Sequence, residues 1–310
     1  MRDGLLAGYY GERPTRPEIV FYDTLGTAAG AVAAHARAVS EGADQVLGPL
    51  GRDEVSAVFQ SPQAVPTLAL NRGASAPAEN GASYSLAPED EGDAAAAYLL
   101  SRNARRVLVL SNGDDNAQRS IEALRARLLV GGGAIVGTVA VVGDKPADST
   151  PAFRNAASGE NAADAVFLAI RGNQARIVVS QLAAAGLGGK LRVATSQIGQ
   201  GIGKPEEDLV LDGIASTSEP GARGTAHASL RAAAALGRDL PTARGPATRL
   251  FAFGHDAWQL SAYLQYLATH PDAQLKGATG TLRLDADGTV RRAPAWATFS
   301  RGNVVPLTGG

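Results

Sequence analysis

The sequence contains no cysteine. Disulfides, thiolate nucleophiles and thiolate metal ligands are therefore excluded. Aromatic residues make up only 5% of the 310 residues, so the core has to be built mainly from alanine, valine and leucine. No apolar run reaches the roughly 18 residues that a membrane helix needs. The formal net charge is −1, so there is no overall charge that would attract nucleic acid or an anionic membrane.

The usual signatures of enzymes and cofactor sites are missing as well. No G-x-G-x-x-G opens a helix after a strand, and there is no G-x-S-x-G. The stretch 199–204 suggests a phosphate loop, but its glycines are too close together and Pro205 lacks the backbone donor. His255 and Asp256 are adjacent on a helical pattern, which makes them face different directions and favours a surface or capping role. We therefore expect no catalytic residue, metal or cofactor, and a protein that is not an enzyme.

The sequence does contain a regular alternation of short apolar runs and helical patterns. The runs are almost continuously hydrophobic, as in parallel strands that are covered on both faces. The expected strands are residues 19–22, 45–48, 66–70, 107–110, 135–142, 165–169 and 191–194. The expected helices are about 2–11, 28–40, 53–60, 88–101, 116–130, 174–185 and 248–270. This alternation predicts doubly wound α/β sheets, and the chain length favours two α/β lobes.

Local signals mark several element ends. Pro88 followed by three carboxylates is typical of a helix start, where the positive end of the helix dipole stabilises the acids. The glycines at 131–133 indicate that the preceding helix ends there. Asp285–Gly288 resembles part of a calcium loop, but Arg283 occupies the first ligand position. This tetrapeptide is therefore predicted to be a hairpin turn, with a second turn at 300–303.

Polar side chains follow several of the predicted strands. In open α/β sheets, ligands and partners meet the carboxyl ends of the strands. The candidate site residues at these ends are Leu50, Gly51, Arg52, Asn71, Arg72, Arg171, Asn173, Thr195, Ser196 and Gln197. Their hydrogen-bonding groups suit recognition rather than turnover, and they are equally consistent with ordinary polar loops at strand ends.

Several stretches resemble known families. GADQVLGPLGRDEVSAVFQ followed by VPTLALN is similar to the first lobe of type I periplasmic solute-binding proteins. LAPEDEGDAA, DAVFLAIRGNQARIVVSQLAAAGLGGKLRVATSQIGQG and the C-terminal stretch from RLFAFGHDAWQLSAYLQYL to VVPL resemble the LppC/LpoA lipoprotein family, the penicillin-binding protein activators. The resemblance covers nearly all of the chain.

The resemblance implies two Rossmann-like lobes joined by three chain crossings, near Ala87, Asp212 and Gln274. Lobe 1 would comprise residues 1–87 and 213–273, and lobe 2 residues 88–212 and 274–310, with the candidate residues lining the cleft between them. The C-terminal hairpin would close the second lobe. The first strand of lobe 1 is missing, since the sequence opens on the helix, and we expect a fragment or a misplaced start.

For function, the resemblance implies a non-catalytic regulator that binds and activates a class A penicillin-binding protein. Such proteins face the periplasm and are held at the outer membrane by a lipid anchor that this sequence lacks. The alternative is a periplasmic receptor for a small polar ligand in the cleft. A conventional amino-acid receptor is disfavoured because Thr195–Gln197 supplies no carboxylate for the ligand's ammonium group.

Overall fold

The computed structural model describes residues 1–12, 16–218, 240, 243 and 247–307. The chain divides into two compact units, each with its own sheet. Unit 1 comprises Met1–Leu86 and Glu219–Arg292, and unit 2 comprises Ala87–Ser218 and Ala293–Gly310. Most of 219–246, which the sequence assigns to the first lobe, lies outside the described residues. The mixed α/β class expected from the sequence is confirmed.

The described elements alternate along most of the chain. The helices are α1 (Arg2–Glu12), α2 (Ala28–Ser40), α3 (Arg52–Val58), α4 (Pro88–Ser101), α5 (Asp115–Val130), α6 (Thr150–Ala156), α7 (Gly172–Ala184), α8 (Pro205–Asp208) and α9 (Thr248–Thr269). The strands are β1 (Val46–Leu47), β2 (Thr67–Ala69), β3 (Gly81–Tyr84), β4 (Arg106–Ser111), β5 (Ala134–Ala140), β6 (Ala165–Ala169), β7 (Leu191–Ala194), β8 (Ala215–Ser218), β9 (Leu275–Lys276), β10 (Thr281–Leu284), β11 (Thr289–Ala293), β12 (Ala295–Ser300) and β13 (Asn303–Pro306).

Unit 2 contains a seven-stranded sheet in the order β13-β12-β8-β7-β6-β4-β5. The strands from β5 to β8 are parallel, and β12 and β13 are antiparallel additions at one edge. Alternate residues of β4 pack into different cores: Leu108 lies in the cluster with α6 and α7, whereas Val109 lies in the cluster with α4 and α5. Burial on both faces explains why these strands read as continuous apolar runs.

Unit 1 contains a six-stranded sheet in the order β1-β2-β3-β11-β10-β9. Helix α9 covers it with Phe253, Ala257 and Leu260, which share a core with Leu68 and Val290. On another face of α9, the glycines of α1 allow close helix packing: a β-carbon at Gly4 would overlap the Phe251 carbonyl, and one at Gly8 would lie 2.7 Å from the Trp258 ring. The first helix of the chain is thus part of the unit 1 core.

A buried carboxylate joins α9 to the loop between β9 and β10. Asp256 is completely buried and accepts hydrogen bonds from the Ala278 N–H at 2.5 Å, the Thr279 N–H at 2.8 Å and the Tyr84 hydroxyl at 3.1 Å. A β-carbon at Gly277 would lie 2.6 Å from this carboxylate, so the loop needs glycine there. Burial, followed by the nearby Asp256 charge, raises the pKa of Tyr84 well above its usual value. The surface or capping role expected for Asp256 is therefore wrong.

The expected strand at 19–22 is also wrong. These residues are extended, but they pair with no strand in the part of the chain that the structure describes. The side chains of Val20 and Phe21 are 56% and 53% exposed. A strand needs a neighbour to satisfy its backbone donors and acceptors, and the nearest strand in sequence, β1, pairs with β2 and forms the edge of its sheet.

Two of the three chain crossings differ from the expected positions. Strand β8 pairs with β7, which keeps the chain in unit 2 until Ser218 rather than Asp212. Strand β11 pairs with β3, so the hairpin that was expected to close the second lobe belongs to unit 1. The turn itself is confirmed, because Gly288 has a φ of 77° and donates to the Asp285 carbonyl. Arginine side chains pair with Asp285 and Asp287, which leaves these carboxylates poorly suited to calcium.

Replacing Asp256 tests how much the buried hydrogen bonds between α9 and the loop before β10 contribute to the stability of unit 1. Asp256→Ala removes the acceptor of several buried donors, and we expect it to lower the free energy of unfolding by about 3 kcal/mol. Asp285→Ala removes an equally charged group from a surface ion pair and should cost less than about 1 kcal/mol. Urea unfolding measures both. Equal losses of unfolding free energy in the two variants would contradict the stabilising role of the buried Asp256 hydrogen bonds.

The lowered pKa of His35 should make the free energy of unfolding depend on pH. Its ring nitrogen lies 3.0 Å from the hydroxyl of the buried Thr67, and burial lowers the pKa of His35. A lowered pKa favours neutral histidine in the folded state. The resulting stabilisation is complete above the unfolded pKa of about 6.5 and is lost as the pH falls towards the folded value. His35→Gln should weaken the loss of stability between pH 7.5 and 5, whereas His270→Gln, at an exposed position, should not.

Candidate functional site

The loops at the carboxyl edge of the unit 2 sheet bring several polar side chains together. Asn112 and Asp114 follow β4, and Ser196 and Gln197 follow β7. The two strands lie on either side of β6, two strand spacings or roughly 10 Å apart. Glu91 reaches the same edge from the first turn of α4. The parallel sheet thus converts residues that are far apart in sequence into one polar cluster.

Glu91 is buried and holds the loop after β7. Its carboxylate accepts hydrogen bonds from the Ser196 N–H and hydroxyl, both at 2.8 Å, and from the Thr217 hydroxyl at 3.1 Å. The acids at the start of α4 were expected to stabilise the helix terminus, and the helix does begin at Pro88. Glu91 additionally fixes two strand ends, a contact across 105 residues of sequence that no local pattern indicates.

Asp114, Asn112 and Gln197 form a closed set of hydrogen bonds. The Gln197 amide donates to both Asp114 oxygens at 3.2 Å, and the Asn112 amide donates to Asp114 at 2.9 Å and to the Gln197 carbonyl oxygen at 3.1 Å. Asp114 also caps α5 by accepting from the Ala117 N–H at 2.8 Å. Burial opposes ionisation of Asp114, but the bonds from Ala117, Gln197 and Asn112 outweigh it and lower the pKa of this carboxyl.

The remaining unit 2 candidates occupy different environments. Arg171 is exposed, and its positive charge adds to the lowering of the Asp114 pKa. Asn173 donates to the exposed Asp144 at 3.0 Å. Thr195 is 2% exposed, and its hydroxyl has no hydrogen-bond partner among the described residues. The structure therefore places Ser196 and Gln197 in the polar cluster, Arg171 beside it, and the Thr195 side chain in the interior.

The unit 1 candidates lie on two neighbouring loops that follow β1 and β2. The Asn71 amide donates to the Leu50 carbonyl at 2.9 Å, and its oxygen accepts from the Arg72 N–H at 2.9 Å, so these two loops are tied together. Gly51 precedes α3 and lies against the buried Glu54 side chain, which would be 3.0 Å from an added β-carbon. Leu50 and Arg52 are exposed.

Carboxylates do reach the Thr195–Gln197 loop, although the loop carries none itself. Glu91 and Asp114 come from α4 and from the loop after β4, and both already accept hydrogen bonds from neighbouring protein groups. The signal for Asp114 was in the sequence, since Ser111–Asp115 is a polar stretch directly after a predicted strand. This arrangement ties the loops after β4 and β7 to α4 and α5.

In the stretch 199–204, which suggested a phosphate loop, a backbone donor is already bonded to a carboxylate of the protein. The Gly203 N–H donates to Asp208 at 2.9 Å, and Lys204 pairs with Glu207 at 2.8 Å. Across the described ranges, no group of three or more histidine, aspartate or glutamate residues is arranged to hold a metal ion. Within the same ranges, no helix is both long and apolar enough to cross a membrane.

The lowered pKa of Asp114 should make the chain less stable at acid pH. A lowered pKa contributes stability that is present above the unfolded pKa of about 3.9 and is lost as the pH falls through the folded value. Asp114→Asn retains an oxygen for the Ala117 N–H but carries no charge. We expect this variant to lose less unfolding free energy between pH 7 and pH 3 than the parent chain. Asp115→Asn, at the exposed neighbouring position, serves as the control, and an equal effect of both would contradict the assignment.

The chain is similar to several solved structures over nearly its whole length. The LpoA (YraM) C-domain from Haemophilus influenzae, described as a regulator of PBP1A, superposes with a TM-score of 0.79 at 21% identity, covering 98% of this chain and 94% of that one. A putative branched-chain amino acid ABC transporter protein from Chromobacterium violaceum gives a TM-score of 0.74 at 27% identity, covering 96% and 93%. These likenesses support the two-sheet periplasmic binding-protein fold.

Two curated relatives share the name penicillin-binding protein activator LpoA. The penicillin-binding protein activator LpoA of Klebsiella pneumoniae subsp. pneumoniae is 26% identical over 323 residues, which cover 94% of this chain and 45% of that protein. The activator LpoA of Yersinia pseudotuberculosis is 27% identical over 337 residues, covering 94% and 50%. The chain thus spans about half the length of the curated relatives it matches. Residues 1–145 and 153–302 match the family model described as LppC putative lipoprotein, and the chain belongs to this family.

Proposed function

We propose that this chain is the binding-protein-like part of a non-catalytic periplasmic regulator that binds and activates a class A penicillin-binding protein in peptidoglycan synthesis. Membership of the LppC family carries the proposal. The matched relatives are named as activators of penicillin-binding proteins, and the similar Haemophilus influenzae domain is described as a regulator of PBP1A. The family description as a putative lipoprotein supports a location in the periplasm with a lipid anchor at the outer membrane.

The internal bonding of unit 2 supports a scaffold role rather than solute capture. Receptors need hydrogen-bonding groups that are free to meet the ligand. Here both donor groups of Ser196 are bonded to Glu91, and the Gln197 amide is bonded to Asp114. Binding a polar solute through these groups would require breaking bonds that already satisfy a buried carboxylate, which carries a desolvation cost.

A receptor for a small polar ligand is the second candidate. The likeness to the Chromobacterium violaceum protein, at 27% identity, favours it. Each unit has an exposed arginine at its strand ends, Arg52 in unit 1 and Arg171 in unit 2, and either one would be available to an anionic group of such a ligand. Against this, the polar groups of the loop after β7 are engaged as described above, and the family relatives are named for activation rather than transport.

The proposal predicts a direct effect on a cell-wall synthase. Added to the class A penicillin-binding protein of the same cell, this chain should bind it and raise its rate of glycan synthesis in a reconstituted assay. A class B penicillin-binding protein, which has a transpeptidase but no glycan polymerase, serves as the partner control. Absence of both binding and stimulation with the folded chain would count decisively against the regulator.

Thermal shift distinguishes the receptor from the regulator. A ligand at 100 times its dissociation constant stabilises a protein by about 2.7 kcal/mol. We expect amino acids and soluble wall fragments to leave the melting temperature unchanged. A saturable shift that Arg52→Gln or Arg171→Gln abolishes would instead support the receptor.

A further inference from the structure

Unit 2 has charges of opposite sign at its two sheet edges. Four segments of loop and first helical turn at the carboxyl edge (87–91, 112–118, 141–153 and 170–175) carry seven carboxylates against two cations, Lys145 and Arg171. The connections at the opposite, amino edge, from which the parallel strands start, carry mainly cations. Five of these cations define what we name the basic edge: Arg102, Arg105, Arg106, Lys190 and Arg192.

The basic edge is a continuous feature of the sheet. Arg105 and Arg106 precede and begin β4, while Lys190 and Arg192 flank the start of β7. These strands are separated only by β6, so the two pairs lie roughly 10 Å apart. Arg102 ends the helix that leads into β4, with its guanidinium carbon 3.5 Å from the centre of the Tyr98 ring. Four of the five side chains are exposed, and Arg192 is half-buried.

The acids at this edge are fewer and mostly engaged with backbone donors. Asp164 accepts from the N–H groups of Arg105 and Arg106 at 3.2 and 2.9 Å, and one of its oxygens also lies 3.8 Å from the Arg106 Nε in a long ion pair. Asp212 accepts from the N–H groups of Arg301 and Gly302 at 2.8 and 2.9 Å. Both carboxylates make their shorter contacts with main-chain N–H groups, so they neutralise the cationic side chains only weakly, that of Arg106 included.

A structural role explains part of the arrangement. Helix C-termini attract cations, and the Arg105 guanidinium donates to the Gly131 carbonyl at the end of α5. Arg106 donates to the Ala162 carbonyl at 2.8 Å, and Arg192 to the Asp212 carbonyl at 3.0 Å. A guanidinium has five N–H donors in a planar fork, so one carbonyl uses only part of it. The exposed remainder of Arg105 and Arg106 can bind a carboxylate in a bidentate manner.

We propose that the basic edge is the docking surface for an acidic face of the protein partner. Arginine forks recognise discrete carboxylates, which a protein surface supplies. Asp164 between the two cationic pairs and the exposed Glu160 would repel a continuous polyphosphate chain laid along the same line. Charges at an interface rim act mainly through steering and register, so binding through this edge should depend on salt.

This inference rests on the proposed function, because the partner in the test is the class A penicillin-binding protein. The test variant is Arg102→Gln/Arg105→Gln/Lys190→Gln. We expect it to bind the synthase about tenfold more weakly, which corresponds to about 1.4 kcal/mol, and with a smaller dependence on salt. The charge-retaining variant Arg102→Lys/Arg105→Lys/Lys190→Arg should keep most of the affinity.

A matched variant separates position from net charge. Arg125→Gln/Lys145→Gln/Lys204→Gln removes three positive charges from exposed positions of unit 2 outside the basic edge and should bind like the parent chain. Urea midpoints of all variants establish that each is folded. Parent-level binding by the basic-edge variant, or equal weakening by the matched variant, overturns the inference while leaving the regulator intact. No binding by the parent chain overturns the regulator itself. A competition experiment tests the chemistry of the partner surface. If polyphosphate displaces the synthase and a polyglutamate peptide does not, the inference that the basic edge binds protein carboxylates is overturned.

Discussion

The common direction of the parallel strands is the constraint on which the organisation of unit 2 depends. Because β4 to β8 run the same way, the connecting helices all start at one edge of the sheet and end at the other. Helix starts favour carboxylates and helix ends favour cations. A chain with a formal charge of only −1 therefore separates its charges into an acidic, internally bonded edge and a basic edge with unused donor capacity.

Both units use the same device to position a loop. In unit 1, Asp256 accepts from two successive backbone N–H groups of the loop before β10. In unit 2, Glu91 accepts from the backbone and hydroxyl of Ser196. Each carboxylate comes from a helix and reaches a loop that adjoins a strand. Buried charges are tolerated because several donors compensate their desolvation, and these bonds make the loops fixed parts of the scaffold.

Patterns that depend on neighbours in sequence could be predicted, whereas those that depend on distant partners could not. The helix start at Pro88, the stop at Gly131 and the turn at Gly288 follow from local chemistry. Strands β3 and β8 were missed because GASY and ASTS contain few large apolar residues. The apolar run at 19–22 has strand composition but lacks a pairing partner among the described strands. The roles of Asp256 and Glu91 depend on partners that are distant in sequence, so they could be recognised only in the folded structure.

The interrupted path of the chain through unit 1 has a consequence for biosynthesis. The hydrogen bond between Tyr84 and Asp256 closes a loop of 172 residues, and the paired central strands β3 and β11 lie in the first and the last third of the sequence. The five parallel strands of unit 2 arise from one uninterrupted stretch within that loop. On the ribosome, the unit 2 sheet can assemble before α9 and β11 have been synthesised. A folded insert replaces a long flexible loop and lowers the entropy cost of joining the two halves of unit 1.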